Sequence, residues 1–378
     1  MVVSLYIIKT GDGRTLHNPL LKTFAKIVDA PELSEEVNTI GQLTFTMPPN
    51  HPEYNAIRKR KTIIYVYDDE GEIFRGRVID HTGDFYRQKK VKCESELAFL
   101  CDSIVRPFGY KGSVKGFLQK LLDNHNAQVD AERQFTLGNV TVEDPNDYIV
   151  RSSESVETTW KNICDRLISL LGGYICTRYE GGVRYIDYLA DFTSKSTQSI
   201  KFGENMLDLE DYVDAADVVT CMIPYGCRLE SSSPYYYETP PENGEYHGNR
   251  ITILNVNDGK DYIENATGIA LYGRVWGSQT WDDVTDRNIL LRKSTSALAD
   301  SILLNTTLTI KALDLHLIDV DTEKIKIGQY MHVLSLPHDI DTWLLCSKIK
   351  RPLYTSGLGN TEITLGATRR TLTEQIKG

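Results

Sequence analysis

Eight histidines, seven cysteines and 52 carboxylates give this chain the raw material for metal binding and for acid–base or nucleophilic catalysis. Spacing decides which of these is open. The cysteines (Cys93, Cys101, Cys164, Cys176, Cys221, Cys227, Cys346) are odd in number and scattered, and none forms the two-residue-gap pair of a zinc ribbon or a thiol redox motif. Most sit in apolar stretches such as Trp343-Leu-Leu-Cys346, which reads as reduced, buried, structural thiols in a protein made in a cytosol. The nearest histidines, His332 and His338, are separated by Pro337 and carry neither a His-Glu-x-x-His helix nor a serine elbow. Asn255-Val-Asn-Asp-Gly-Lys-Asp-Tyr-Ile-Glu264 has the look of a calcium loop. Its glycine falls one place early and its closing glutamate two, so it reads as a polar turn. Asp319-Val-Asp-Thr-Glu323 sets three acids at alternate positions, a weak cation site or a solvated turn, and the turn is the favoured reading. Gly109-Tyr-Lys-Gly112 with Gly116 precedes a helix without Walker or dinucleotide spacing. No catalytic, cofactor or metal residue is nominated. A hydrolase of cell wall or polysaccharide, using a carboxylate pair that spacing cannot reveal, stays open as the alternative. Tyr235, Tyr236 and Tyr237, in a loop rich in Ser, Pro and Gly, form the candidate interaction site, because clustered exposed aromatics supply rigid contact area.

The elements that would position these residues are mixed. A length of 378 residues predicts two or three domains, and 41% hydrophobic with 25% charged residues is the composition of a folded globular protein. A net charge of -10 is the wrong sign for a broad grip on nucleic acid phosphates. No apolar run reaches the length that crosses a bilayer, and Val3, Leu5 and Ile7 alternate like a strand rather than a signal segment. From Met1 to Ser103 short alternating segments (Gly41–Met47, Thr62–Tyr67, Ile73–Ile79) are broken by turns, including Asp68-Asp-Glu-Gly71. Ser113 predicts an N-cap for a helix carrying Val114, Phe117, Leu118, Leu121 and Leu122, and a second helix is expected from Ser155 to Gly172-Gly173. Tyr174–Tyr179 and Val183–Tyr188 around Glu180-Gly-Gly182 read as a hairpin. Strands are expected at Arg250–Leu254, across Leu308 and Ile310, at Leu313-Leu315-Leu317, and on to Thr361–Leu365, with a helix at Thr285–Asn305. No repeat with a period of 20 to 50 residues is found.

Several short signatures then converge: Asn205-Met-Leu-Asp-Leu209, Asp217-Val-Val-Thr-Cys-Met-Ile-Pro-Tyr-Gly226, Trp281-Asp-Asp-Val284, Ala312-Leu-Asp-Leu-His-Leu-Ile-Asp319, Ile327-Gly-Gln-Tyr-Met-His-Val333 and Ile363-Thr-Leu-Gly366. In these the sequence resembles the N-terminal hub region of phage tail-associated proteins, also called prophage endopeptidase tail or phage minor structural proteins. The resemblance implies an α+β, β-rich fold of baseplate-hub architecture, with two tube-like β-barrel domains and two small α/β domains. On that mapping the first barrel is 1–103, an α+β domain 104–203, the second barrel 204–228 with 307–378, and an inserted α/β domain 229–306.

The implied function is structural. A homotrimeric ring at the virion tail tip, assembled in the bacterial host cytoplasm, would join the tail tube, distal tail protein and tape-measure protein to receptor-binding or tail-fibre proteins. It would let genome DNA pass transiently, with no stable membrane insertion and no cofactor. A hub of a contractile injection machine is the further alternative. The chain ends at Gly378 without a peptidase's Cys-His or metal motif, so the enzymatic part of the family name is not transferred. The expectation is a purely structural hub or the N-terminal part of a longer protein.

Overall fold

The computed structural model describes residues 6–21, 26–144, 148–214, 218–229, 250–282, 284–302, 305–317, 319, 321–354 and 361–366. The first hundred residues form strands β1 (Ile7–Thr10), β2 (Thr15–His17), β3 (Asp29–Glu36), β4 (Gln42–Met47), β5 (Ile63–Tyr67), β6 (Glu72–Gly83) and β7 (Lys89–Ser95). Their period-two pattern fixes which face is buried. In β4, Leu43, Phe45 and Met47 point into a core that also holds Ile8, Leu16, Leu33, Ile64, Val66, Val78, Val91 and Cys93.

The middle of the chain gives β8 (Ile104–Val105), β9 (Phe108–Gly112), α1 (Val114–Asn126), β10 (Thr136–Val140), β11 (Ile149–Ser153), β12 (Glu157–Thr158), α2 (Thr159–Ile163), a π turn at Cys164–Ile168, α3 (Ser169–Leu171), β13 (Tyr174–Glu180) and β14 (Val183–Leu189). α1 starts where its cap predicts, with Ser113 Oγ accepting from Gly116 N at 3.0 Å, and all five expected apolar residues are buried. The second helix starts later than expected. Thr158 is its cap, because Glu157 and Thr158 first pair with Val105 and Ile104, and Val156 stays exposed. β13 and β14 form the expected hairpin, turning at Gly181 and Gly182 with φ of 58° and 83°, conformations that glycine adopts without strain.

The chain continues through β15 (Ile200–Lys201), β16 (Met206–Asp214), β17 (Cys221–Tyr225), β18 (Ile263–Glu264), α4 (Ala266–Tyr272), β19 (Trp276–Thr280), α5 (Arg287–Ser301), β20 (Asn305–Ala312), β21 (Tyr330–Ser335), β22 (Ile340–Pro352) and β23 (Glu362–Gly366). Two compact units result. One comprises 1–144, 152–211 and 307–368, the other 145–151, 212–306 and 369–378. In the second unit β17 lies between β18 and β19, and Ile251, Ile253, Val284 and Leu290 form a separate small core.

Two expected strands are corrected. Arg250–Leu254 makes one bridge, Arg250 to Arg228, and then enters a 3-10 turn, since Ile251, Thr252 and Ile253 are all buried and no alternation between faces is left to lay on a sheet. Leu315–Leu317 is likewise a 3-10 turn rather than a strand. The Asp314 carboxylate accepts from the backbone N–H groups of His316 (3.2 Å) and Ile325 (3.1 Å), which folds the chain back on itself.

In the first unit the fold is β-rich with a curled, half-barrel sheet. Thirteen described strands run in the order β16-β20-β23-β22-β3-β4-β7-β6-β5-β1-β2, with β21 against β22 and β15 against β21. Close packing at its centre leaves no room for a side chain at Gly76, where a Cβ would lie 2.0 Å from the Glu94 carbonyl oxygen. Gly76→Ala is expected to lower stability by about 3 kcal/mol through overpacking against backbone, read as a lower urea midpoint with an unchanged slope.

Candidate functional site

The chemistry-bearing residues are largely engaged in holding the fold. The seven cysteines are free thiols; burial pushes Cys346 up to about 12 and Cys176 to about 11, away from the thiolate a nucleophile needs. Burial likewise holds the imidazoles of His17, His51 and His125 below their ordinary range. A Ser–His pair does exist. Ser103 Oγ lies 2.7 Å from His125 Nδ1, but both residues are fully buried and the hydroxyl also meets Thr159. His332 and His338 share the β21–β22 hairpin without meeting a common partner: the first contacts Asp341 at 2.7 Å, the second Ser335 at 2.6 Å. In the calcium-like loop Asn257 donates to the carbonyls of Lys260 and Tyr262, closing a turn. In the acidic triplet Glu323 accepts from Thr197 and Gln329. The glycines at 112 and 116 make room for the Tyr110 ring, whose hydroxyl would lie 2.6 and 2.5 Å from a Cβ there. Tyr235, Tyr236 and Tyr237 lie outside the described residues.

What sequence reasoning missed is a junction inside the sheet. β22 pairs antiparallel with β3, Lys348 opposite Glu36 and Pro352 opposite Glu32. Lys348 Nζ lies 2.9 Å from Glu36 and Lys350 Nζ 3.4 Å from Glu32, so an acidic strand meets a basic one. Arg351, buried here, donates to the Ile325 carbonyl at 3.0 Å and has Tyr6, Glu35 and Asp314 around it.

The tip of the β5–β6 hairpin completes the junction. Asp68 Oδ1 accepts from the N–H groups of Glu70 and Gly71, shaping the turn, while its other oxygen lies 2.6 Å from Lys324 Nζ. Lys324 also reaches Asp69 at 2.8 Å, and Lys326 reaches Glu70 at 2.7 Å. The Lys324 and Asp68 side chains are 3% and 0% exposed. His316 presents Nδ1 to the Thr322 carbonyl (2.7 Å) and Nε2 to Asp69 (2.8 Å), so the imidazolium satisfies both. Burial acts to lower the His316 value, yet Asp69 and Thr322 outweigh it and the net shift is upward. Burial acts to raise Asp69, and the hydrogen bonds from Lys324 and His316 take it well below the carboxylate range.

This junction also reveals a repetition. Each half of the sheet has a short strand (β5, β21), a four-residue turn (68–71, 336–339) and a long strand (β6, β22) that pairs first with the short strand and then with another (β7, β23). Both long strands carry a register shift at the hand-over, Val78/Asp80 in one and Cys346/Lys348 in the other. Neighbour order repeats as well, β3-β4-β7-β6-β5-β1 matching β16-β20-β23-β22-β21-β15. The halves differ in what covers them. The β22 segment on which β3 lies is buried or half-buried, whereas Asp80, Thr82 and Gly83 at the matching place in β6 are exposed. Asp68 at one turn is sealed, and Leu336 at the other is 83% exposed.

A polar cleft of about 710 Å³ also opens in this unit, lined by Tyr65, Tyr67, Arg75, Tyr179 and Arg184 among others. Its cations rest on its own rings: Arg184 lies 4.3 Å from the Tyr179 centroid and Arg75 5.8 Å from that of Tyr65.

The fold is that of phage tail proteins. It is similar to prophage tail protein gp18 from Listeria monocytogenes EGD-e (14% identity, TM-score 0.58, 99% of this chain and 98% of that one). The tail protein from Neisseria meningitidis MC58 matches at 13% identity and a TM-score of 0.64 over 97% of each chain. The 43 kDa tail protein of prophage MuSo2 from Shewanella oneidensis matches at 13% and 0.60, over 96% of this chain and 98% of that one. No curated protein matches the sequence. Residues 194–376 match the model of the prophage endopeptidase tail family, the phage tail-associated family that the sequence resembles.

Three outcomes follow from the clasp that Lys324 and His316 form around the Asp68–Asp69 turn. Lys324→Met leaves Asp68 buried without its cation and is expected to cost about 3–5 kcal/mol in chemical denaturation. The stability gap between wild type and His316→Gln is expected to be fully present below about pH 6.5, the ordinary histidine value, and to close as pH rises through the raised folded value. Asp69 works in the opposite sense: its contribution is complete above about pH 3.8 and fades as pH falls through the lowered folded value. Thermal melts across pH 5 to 9 check the histidine, and chemical denaturation from about pH 5 down to about pH 1 checks the aspartate.

Proposed function

We propose that this protein is a structural hub of a phage or prophage tail tip, a homotrimer whose subunits join edge to edge into a ring. The observation that carries the reading is the repeated half-sheet. One half receives a strand, β3, on its long strand; among the described residues the other offers an unpaired long-strand edge at β6, while β16 ends the sheet with an edge of its own. Unpaired sheet edges are templates for strand addition. Placing β16 of one copy on β6 of the next repeats the internal junction between chains, and repetition around an axis closes a ring. Three copies, and hence six half-sheets, are what the family resemblance supplies.

In this reading 1–103 and 204–228 with 307–378 are the two tube-like barrels, and 104–203 and 229–306 are the α/β domains. The ring would carry the tail tube and distal tail protein on one side and host-binding or cell-wall-penetrating parts on the other, with the Tyr235–Tyr237 loop as a contact. DNA would pass through the lumen without being held, in keeping with a net charge of -10 per subunit. Assembly would take place in the host cytoplasm, with the tape-measure protein as a neighbour in the tail.

Light scattering after size exclusion tests the assembly. The expected mass is three times the 42.8 kDa of one chain, with annular particles in negative stain. A strictly monomeric particle at high protein concentration would overturn the trimeric hub.

A further inference from the structure

We propose that the Leu336–Asp339 turn of one copy docks on residues 48–62 of the next, with Leu336 seated beside Ala56 and Asp339 facing the basic run Arg58–Lys61. The contact rests on the ring reading and specifies a surface that strand pairing alone does not.

Inside one chain the corresponding contact is already made. The Asp68–Gly71 turn lies on the connection between β20 and β21, where Lys324, Lys326 and His316 receive it. The turn at 336–339 has the same length and the same place between a short and a long strand, and the connection matching 313–329 is 48–62, between β4 and β5. Counted back from β21 and β5, Lys324 and Lys326 stand where Ile57 and Lys59 do, next to Ala56 and Arg58. The chemistry changes on both sides together. Where Asp68 meets Lys324, the second pairing sets Leu336 against the half-buried Ala56, apolar against apolar, with Ile57 beneath it in the core.

Exposure agrees with this exchange. Leu336 is 83% exposed in the single chain, at a position whose counterpart is completely sealed. Phe202, 54% exposed, lies 5.5 Å from the neighbouring His338 ring and extends the apolar surface. Arg58, Lys59, Arg60 and Lys61 are all exposed. Lys59 lies 2.5 Å from Asp80, so the basic run borders the bare β6 edge that the neighbouring strand would cover. A second copy is the occupant because the turn and the edge belong to one repeated junction, and a strand laid on β6 brings its own 336–339 turn to this connection.

Leu336→Asp tests the contact, with Leu170→Asp as a control on an exposed leucine elsewhere. Leu336→Asp is expected to weaken trimer formation at least tenfold by light scattering, with an unchanged circular dichroism spectrum, and the control to assemble as wild type does. Oxidation of the Ala56→Cys, Leu336→Cys double variant is expected to give covalent dimers and trimers that neither single variant gives. A trimeric Leu336→Asp as tight as wild type, with no cross-linked ladder from the double variant, overturns the contact and leaves the ring standing. A monomeric wild type overturns the ring and the contact with it.

Discussion

A buried ammonium, Lys324, clamped between two carboxylates of the Asp68–Asp69 turn, is the interaction on which the arrangement of the larger unit depends. Removing ions from water is costly, and such a pair holds only if geometry and further hydrogen bonds make up the loss. Here they do: Asp68 also accepts from two backbone N–H groups, and Asp69 is backed by His316. Because the partners come from opposite ends of the chain, the clasp fixes the register in which β3 meets β22. A slip by one residue would separate Lys348 from Glu36 and turn the buried face of β3 outward.

Local structure was legible wherever a residue's own neighbours decide it. The Ser113 cap, the alternation through Leu43, Phe45 and Met47, and the Gly181-Gly182 turn each answer to short-range sterics and hydrogen bonding. The errors came where tertiary demand prevailed. Ile251 to Ile253 are buried on every side, and Asp314 bends a leucine alternation into a turn. The junction was legible only in its parts. Asp68-Asp-Glu-Gly71 reads as a turn, but its partner lies 256 residues away, and no local pattern announces that distance. The family signatures supplied the two-barrel idea that local periodicity did not.

The residues whose types could do chemistry hold the framework together. Each conspicuous group closes a turn, pins a loop or packs a ring: Glu323 holds Thr197 and Gln329, His125 is sealed against Ser103, and Gly112 and Gly116 yield to Tyr110. Groups spread over the framework in this way serve to define surfaces. The surfaces left bare, β6 and the turn at Leu336, occupy positions that the other half of the molecule keeps covered.

The charge pattern of β3 also discriminates between the molecule's own edges. On β22, Glu36 and Glu32 of β3 find Lys348 and Lys350. Laid on the bare β6 edge of another copy in the matching register, β3 would bring Glu36 against Asp80, and Thr82 would stand where Lys350 does. Like charges placed opposite one another in a sheet are repelled. The charges of β3 thereby favour its own β22 and disfavour the bare β6 edge of another copy, a protection against exchanging the first half-sheet between chains.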